Sequence, residues 1–342
     1  MITRHRVFFR DAAQMPEMAT GTVNLVVTSP PYPMIEMWDS LFSSMSPAVR
    51  DALGSGDGRR AHGLMHEALD RVWAEVGRAL APSGIACINV GDATRALDGT
   101  FRLYPNHARI TAYFLEAGYD ALPPVIWRKP SNKPNKFMGS GMLPPNAYVT
   151  LEHEHVLIFR KGGNRRFPDA AARRRSAYFR EERNAWFSDV WQDLKGAPQH
   201  LDDARGRSAS YPFELPYRLI NMYSVQGDLV LDPFLGTGTT MLAAMAAARH
   251  SAGYEIDPAL RPVLESRTAG AVRLGNEAIR GRLRRHEAFT VARQRDGGKR
   301  YHSKRYGFEV STAQEADIEL PFLKTMSSSG SGEYIVIYGD EE

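Results

Sequence analysis

Six short apolar runs recur along the chain: "VNLVVT" (23–28), "GIACINV" (84–90), "PVIWRK" (124–129), "HVLIFRK" (155–161), "DLVLDPF" (228–234) and "SAGYEI" (251–256). Several are unbroken rather than alternating, the pattern of a strand covered on both faces. Helix-like segments lie between them: His66 to Leu80, Pro105 to Ala117, Phe213 to Tyr223 and Thr239 to Arg249. Buried strands alternating with helices predict an α/β domain, doubly wound around a mainly parallel sheet. The chain contains no internal repeat.

Some segments break the alternation. Residues 40–62 are rich in Ser, Gly and Arg and read as a mobile loop with one short helix. Residues 129–150 are dense in Pro, Gly, Asn and Lys, the composition of loop. Residues 160–207 are basic with interleaved aromatics, and from about 285 the composition shifts again, with a flexible "SSSGSG" at 327–332. The expected division is one half of the α/β domain at 1–128, an inserted region at 129–207, the other half at 208–284, and an appendage at 285–342.

Bulk properties narrow the class. A chain of 342 residues with 43% hydrophobic residues can bury a substantial core. Its single cysteine, Cys87, has no partner for an internal disulfide, and no Cys/His cluster has the spacing of a metal site. A reducing, cytoplasmic setting is expected. The first residues lack the apolar core of a signal peptide, and no apolar stretch approaches the roughly 20 residues that span a bilayer. Net charge is only +4, but residues 261–305 hold 13 Lys/Arg against 4 Asp/Glu, and 160–207 hold 12 against 7. Two basic segments point to a polyanionic partner.

The stretch "DLVLDPFLGTGTTMLAAMAAARHSAGYEID" (228–257) reads as strand, glycine turn, helix, and a strand ending in acid. Gly236 and Gly238 permit a tight bend and close approach of a ligand. Thr239 opens the helix, and Glu255 stands where an acid can accept from ribose hydroxyls. A phosphate-binding loop would need Lys after the glycines, and Thr239 occupies that place. Asp232 before the bend suits a cation better than a pyrophosphate. These residues point to S-adenosylmethionine among the nucleotide cofactors. A second stretch, "VVTSPPYP" (26–33), ends an apolar strand with rigid prolines and one aromatic ring.

Together, "DPFLGTGTT" and "TSPPY" resemble the cofactor loop and catalytic motif of S-adenosylmethionine-dependent DNA amino-methyltransferases. "YPFELPYRLINMYSVQGD" (211–228) is similar to the helix before that loop, and "LAPSGIACINVGDA" (80–93) to the strand after the catalytic one. The resemblance covers most of residues 5–265. The catalytic motif comes first in the chain, the circularly permuted order of the beta class.

The resemblance implies a Rossmann-like methyltransferase fold and methylation of an exocyclic amino nitrogen of a base extruded from double-stranded DNA. Ser29, Pro30, Pro31 and Tyr32 would be catalytic. The prolines form a rigid, acceptor-rich turn. The Pro30 carbonyl and Ser29 would hold the amino group, and Tyr32 would stack on the base. Serine at position 29 goes with N4-cytosine in the family, aspartate with N6-adenine. C5-cytosine chemistry needs a Pro-Cys nucleophile, and Ala86 precedes Cys87. Asp232, Phe234, Gly236, Gly238, Thr239 and Glu255 would hold the cofactor, with Phe213 and Glu214 on the helix that closes over it.

The family's DNA-recognition region maps onto 129–207, where Arg165, Arg166, Arg173, Arg174, Arg175, Tyr178 and Phe179 are the candidate contacts. His153 and His155 share one strand face without an evident third ligand, so no metal site is expected. The alternatives are N6-adenine methylation on the same scaffold and a catalytically silent DNA-binding module. Whether a cognate restriction endonuclease accompanies the chain is left open.

Overall fold

The structure is a computed structural model that describes residues 1–129, 138–167, 169–195, 211–293 and 301–341. The chain opens with strand β1 (Ile2–Phe9) and enters β2 (Val23–Thr28), all but one of whose residues are buried. Three helices follow, α1 (Asp39–Met45), α2 (Pro47–Gly54) and α3 (Gly58–Ala79), and lead into β3 (Leu80–Val90). A hairpin, β4 (Ala93–Leu97) and β5 (Thr100–Tyr104), and helix α4 (Asn106–Glu116) precede β6 (Asp120–Arg128). A small hairpin, β7 (Met138–Gly139) and β8 (Ala147–Tyr148), leads to β9 (His153–Arg160), α5 (Ala171–Arg175), α6 (Arg180–Trp186) and β10 (Val190–Trp191). Helix α7 (Glu214–Tyr223) then precedes the β11 (Leu229–Asp232), α8 (Thr239–Ala246), β12 (His250–Glu255) unit. The chain continues through α9 (Arg261–Ala269) and α10 (Ala271–Arg293) to the hairpin β13 (Tyr301–His302) and β14 (Glu309–Val310), and ends with β15 (Phe322–Ser328) and β16 (Glu333–Gly339).

Among the described residues, ten strands form one sheet in the order β10-β6-β9-β3-β2-β11-β12-β1-β16-β15. From β3 to β1 every pairing is parallel. Strand β9 runs antiparallel between β3 and β6, and β16 runs antiparallel to both β1 and β15. One face carries a core with Trp73 of α3 and Phe114 of α4, the latter stacked on Phe159 of β9 at 4.5 Å. The other carries a core with Tyr217 and Ile220 of α7 and the alanines of α8. Every residue of α8 is buried, and its small side chains let it lie close to the sheet.

All six expected strands and four expected helices are present. The segment 40–62 is not a mobile loop: α1, α2 and the first turn of α3 occupy it. Phe42, Val49, Ala52 and Ala61 are fully buried, so a few apolar residues at helical spacing override the Ser/Gly composition. The side chain of Asp57 accepts from the Arg60 amide and starts α3 earlier than its apolar run suggests.

The C-terminal stretch is also more than an attachment. Helix α10 runs across residue 285, and β16 pairs with β1 from Ile2↔Ile337 to Arg6↔Glu333. Strand β1 was not evident as a strand because two of its buried positions are polar. His5 bonds Thr3 (2.7 Å) and Ser251 (2.8 Å), and Thr3 bonds the Tyr338 hydroxyl (2.9 Å). Burial, with His250 nearby, drives the His5 imidazole down to about 3, so it remains neutral.

A buried ion pair joins the inserted region to the C-terminal half. Arg282 of α10 donates to both oxygens of Glu182 on α6, at 2.6 and 2.8 Å, and also to Asn221 of α7 at 3.2 Å. The two side chains are 1% and 4% exposed. Removing one partner strands a buried charge, so Glu182→Ala is expected to destabilise the protein by about 3–5 kcal/mol. Urea unfolding measures this, and a loss below about 1 kcal/mol would show the pair to be dispensable.

Candidate active site

Strands β2 and β11 are parallel neighbours, with Leu25 beside Val230 and Val26 beside Leu231. Their carboxyl ends therefore emerge side by side. The Thr28 hydroxyl donates to Asp232 Oδ1 at 2.6 Å and joins the proline-rich corner to the glycine bend. The two stretches singled out in the sequence share one site, in the crevice at the strands' carboxyl ends where open α/β sheets bind ligands.

At the first corner Pro30 and Pro31 are buried, and Ser29 and Tyr32 are partly exposed. Asn106 donates to the carbonyls of Pro33 (3.1 Å) and Gly91 (2.9 Å), holding the turn against the exit of β3. The Tyr32 hydroxyl lies 2.9 Å from Ser29 Oγ, donates to Glu154 Oε2 at 3.0 Å and accepts from Asn89 Nδ2 at 2.9 Å. Asn89 Nδ2 also donates to Glu154 Oε2 at 2.6 Å, and Lys129 pairs with Glu154 Oε1. Burial and the adjacent Glu154 push the Tyr32 phenol well above its usual range, so it stays protonated. Asn89 Oδ1 is buried with no hydrogen-bond partner among the described residues, an acceptor facing no protein donor in an otherwise satisfied network.

At the second corner Asp232 is 2% exposed. Its carboxylate accepts from Thr28, Thr240 (2.6 Å) and the Phe234 amide (3.0 Å). Burial raises its pKa to about 6 against the pull of these donors. Gly236 (φ 54°) and Gly238 (φ 83°) adopt left-handed conformations, and Gly238 caps α8, whose first residue is the buried Thr239. A Cβ at Gly236 would meet nothing closer than 4.0 Å, so the bend is open on its outer side. Glu255 Oε2 accepts from the Gly236 amide and Oε1 from the Asp257 amide, each at 2.8 Å. Among the described residues the bend thus has two carboxylates beside it and no lysine, which suits a sulfonium cofactor with ribose hydroxyls and not a polyphosphate.

Other expected residues have different surroundings. Phe234 packs edge-on against Trp73 at 5.6 Å, as part of the core as well as the loop. Phe213 stacks on Tyr217 at 5.2 Å, and Glu214 pairs with Arg218 one turn along α7 at 3.3 Å. Tyr211, missed in the sequence, reaches Asp232 and Thr240 with its hydroxyl.

The candidate DNA contacts do not gather at this site. Arg165 binds both oxygens of Asp228 at 2.6 and 2.8 Å, and Asp228 precedes β11, at the opposite end of the strand from Asp232. Helix α5, which carries Arg173, Arg174 and Arg175, is pinned to the same end: Ser176 Oγ accepts from the Gln226 amide at 2.9 Å. Arg173 lies over the Phe167 ring, and Arg174 faces Asp317 at 4.0 Å. Arg166, exposed, follows Arg165 on that side. Phe179 is fully buried and stacks on His286 at 3.9 Å, so it belongs to the core. The physical reason is the direction of β9, which starts at the end of the sheet where the proline turn lies and delivers residues 161–167 and 169–176 to the far end. Lys129 and Glu152 of the inserted region lie at the same end of the sheet as the proline turn, the Lys129 amide donating to the Glu152 carbonyl at 2.8 Å; residues 130–137 and 196–210 lie outside the described residues.

His153 and His155 do share a face, and the fold adds His107 and Asp92 beside them. Asp92 accepts from His107 Nδ1 at 2.7 Å, and the His107 and His155 rings stack at 4.0 Å with an interplanar angle of 18°. Nearly parallel rings have no common in-plane point for an ion, so the arrangement suits a stacked pair oriented by Asp92. Burial and the neighbouring His107 hold His155 down to about 4.

Comparison with known proteins agrees with this geometry. The model of the N6_N4_Mtase family, DNA methylase, matches residues 23–265. The chain is 53% identical over 344 residues to the Type II methyltransferase M.MthZI of Methanothermobacter thermautotrophicus, covering 99% of this chain and 96% of that protein. It is 50% identical over 277 residues to the Type II methyltransferase M.MjaI of Methanocaldococcus jannaschii, covering 78% and 91%. Among solved structures, a Thermus thermophilus protein assigned as a DNA modification methylase and crystallised with S-adenosyl-L-methionine superposes with a TM-score of 0.62. The two share 32% identity over 78% of this chain and 94% of that one. The chain belongs to the N6_N4_Mtase family of DNA methylases, Rossmann-like enzymes that take their methyl group from S-adenosylmethionine.

Proposed function

We propose that this enzyme methylates the exocyclic N4 of a cytosine flipped out of double-stranded DNA, at a specific site, in the circularly permuted beta-class arrangement. The observation that supports the proposal is the Thr28–Asp232 hydrogen bond of 2.6 Å, which joins the proline turn to the glycine bend. Serine at position 29 supports cytosine over adenine, through the association noted for the family. The Type II designation of two close relatives supports a restriction-modification setting, with a cognate endonuclease and chromosomal DNA as partners.

S-adenosylmethionine, when bound, supplies a methyl group activated by positively charged sulfur. Asp232, Gly236, Gly238, Thr239 and Glu255 would hold it, with Phe213, Glu214 and Phe234 as supports around them. The amino nitrogen of cytosine is a weak nucleophile because its lone pair is delocalised into the ring. The Pro30 carbonyl can accept one of its N–H groups, and the Ser29 hydroxyl can donate to the adjacent ring nitrogen. Tyr32 stacks on the base and holds its plane. The proton released after transfer passes to water. Most of the rate gain would come from positioning.

Labelled methyl transfer to plasmid DNA, followed by sequencing that separates modified cytosine from modified adenine, tests the reading. Methyl groups on N4-cytosine at a defined site are expected. Label on adenine would move the assignment to N6, and DNA retardation without transfer would leave a binding module. Tyr32→Ala is expected to lower kcat roughly 5- to 150-fold, the worth of one stacking contact, with S-adenosylmethionine affinity nearly unchanged. Parallel losses in both would remove the stacking role. Asp232 is charged above about pH 6 and neutral below it, so affinity for the cationic cofactor should weaken as pH falls through about 6. Calorimetric titration of S-adenosylmethionine from about pH 5 to about pH 8 checks this, and Asp232→Asn should flatten the dependence.

A further inference from the structure

We infer that Glu154 is a positioning residue of the reaction, fixing the hydroxyl of Tyr32 and so the ring on which the target base stacks. The inference rests on the role of Tyr32 given above. Glu154 lies near the start of β9, directly before the apolar run "HVLIF", and is 8% exposed. A carboxylate at such a place is costly to desolvate, and buried ion pairs seldom stabilise a fold more than apolar residues of the same size would. Its presence there is better explained by what its oxygens hold.

The two oxygens have different partners. Oε1 takes Lys129, the last described residue before the segment 130–137. Oε2 takes the Tyr32 hydroxyl (3.0 Å) and Asn89 Nδ2 (2.6 Å), and Asn89 Nδ2 itself reaches the Tyr32 hydroxyl (2.9 Å). These bonds close a triangle whose members come from the β2 turn, β3 and β9. Gly91 packs the same group from behind: a Cβ there would lie 3.0 Å from the Tyr32 ring and 3.3 Å from Glu154 Cγ. The ring is held at its hydroxyl and along one side before any base arrives. An aromatic platform ordered in advance loses no rotamer freedom when the base stacks on it. Lys129, the residue directly after β6, joins the end of that strand to the same group.

A double-mutant cycle on the full-length enzyme, read by steady-state methylation of plasmid DNA, tests this. Tyr32→Phe keeps the ring and removes the hydroxyl, and Glu154→Ala removes the anchor. Each should lower kcat about tenfold and leave KM for S-adenosylmethionine within about twofold. The combined variant should fall little further than the less active single one, because each single change already breaks the Tyr32–Glu154 contact. Glu154→Gln, which keeps a carbonyl oxygen for the hydroxyl, should stay within about threefold of the wild type. Losses that multiply in the double variant, a cofactor KM that rises as kcat falls, or a Gln variant as poor as the Ala variant would each overturn the inference. If Glu154→Ala does not fold, a near-wild-type rate for Tyr32→Phe overturns it alone, and a tenfold loss there with Gln near wild type supports it. Absence of methyl transfer by the wild-type enzyme would instead overturn the reading of function beneath it.

Discussion

Two corners separated by 204 residues are joined by the hydrogen bond from Thr28 to Asp232. The bond is possible because β2 and β11 are adjacent and parallel, so both strands release their chains at the same end. A parallel neighbour requires a long crossover, and nearly the whole catalytic half and inserted region are threaded between these two strands. Asp232 has almost no contact with water at 2% exposure, and its donors come from both corners: Thr28 on one side, Thr240 and the Phe234 amide on the other. Loss of this register would separate the proline turn from the glycine bend even if each folded correctly.

The remainder of the architecture keeps that pair of strands in place. Helices α3 and α4 cover one face of the sheet, and α7 and α8 the other, with α8 admitted closely because its side chains are small. Strand β16 pairs with β1 and covers what would otherwise be an exposed edge. Helix α6 of the inserted region is bound to α10 by the buried Arg282–Glu182 pair, so the insertion is integrated with the cofactor half and not hung from it.

Charge and position part company in the inserted region. Arg165 neutralises Asp228, which is 6% exposed, and α5 packs at the amino end of β11. Arg174 likewise faces Asp317 at 4.0 Å, while Arg173 lies over the Phe167 ring. Which end of the sheet these arginines reach is set by the direction of β9, which arginine density does not show.

The sequence by itself determined the α/β class, the six central strands, the glycine bend and the proline turn, because these depend on local constraints: apolar runs, left-handed glycine conformations and the fixed φ of proline. It also showed Glu154 on the face opposite His155, by strand alternation, without indicating that this face turns toward Tyr32. Thr3 and His5 concealed β1, since hydrogen bonds with Ser251 and Tyr338 make polar side chains acceptable inside. Which distant residues become neighbours was decided only in three dimensions. Asn89, Glu154 and Lys129 reach the proline turn because β3, β9 and β6 lie on the same side of β2 in the sheet, and strand order is set by the packing of whole layers, not by any window of sequence.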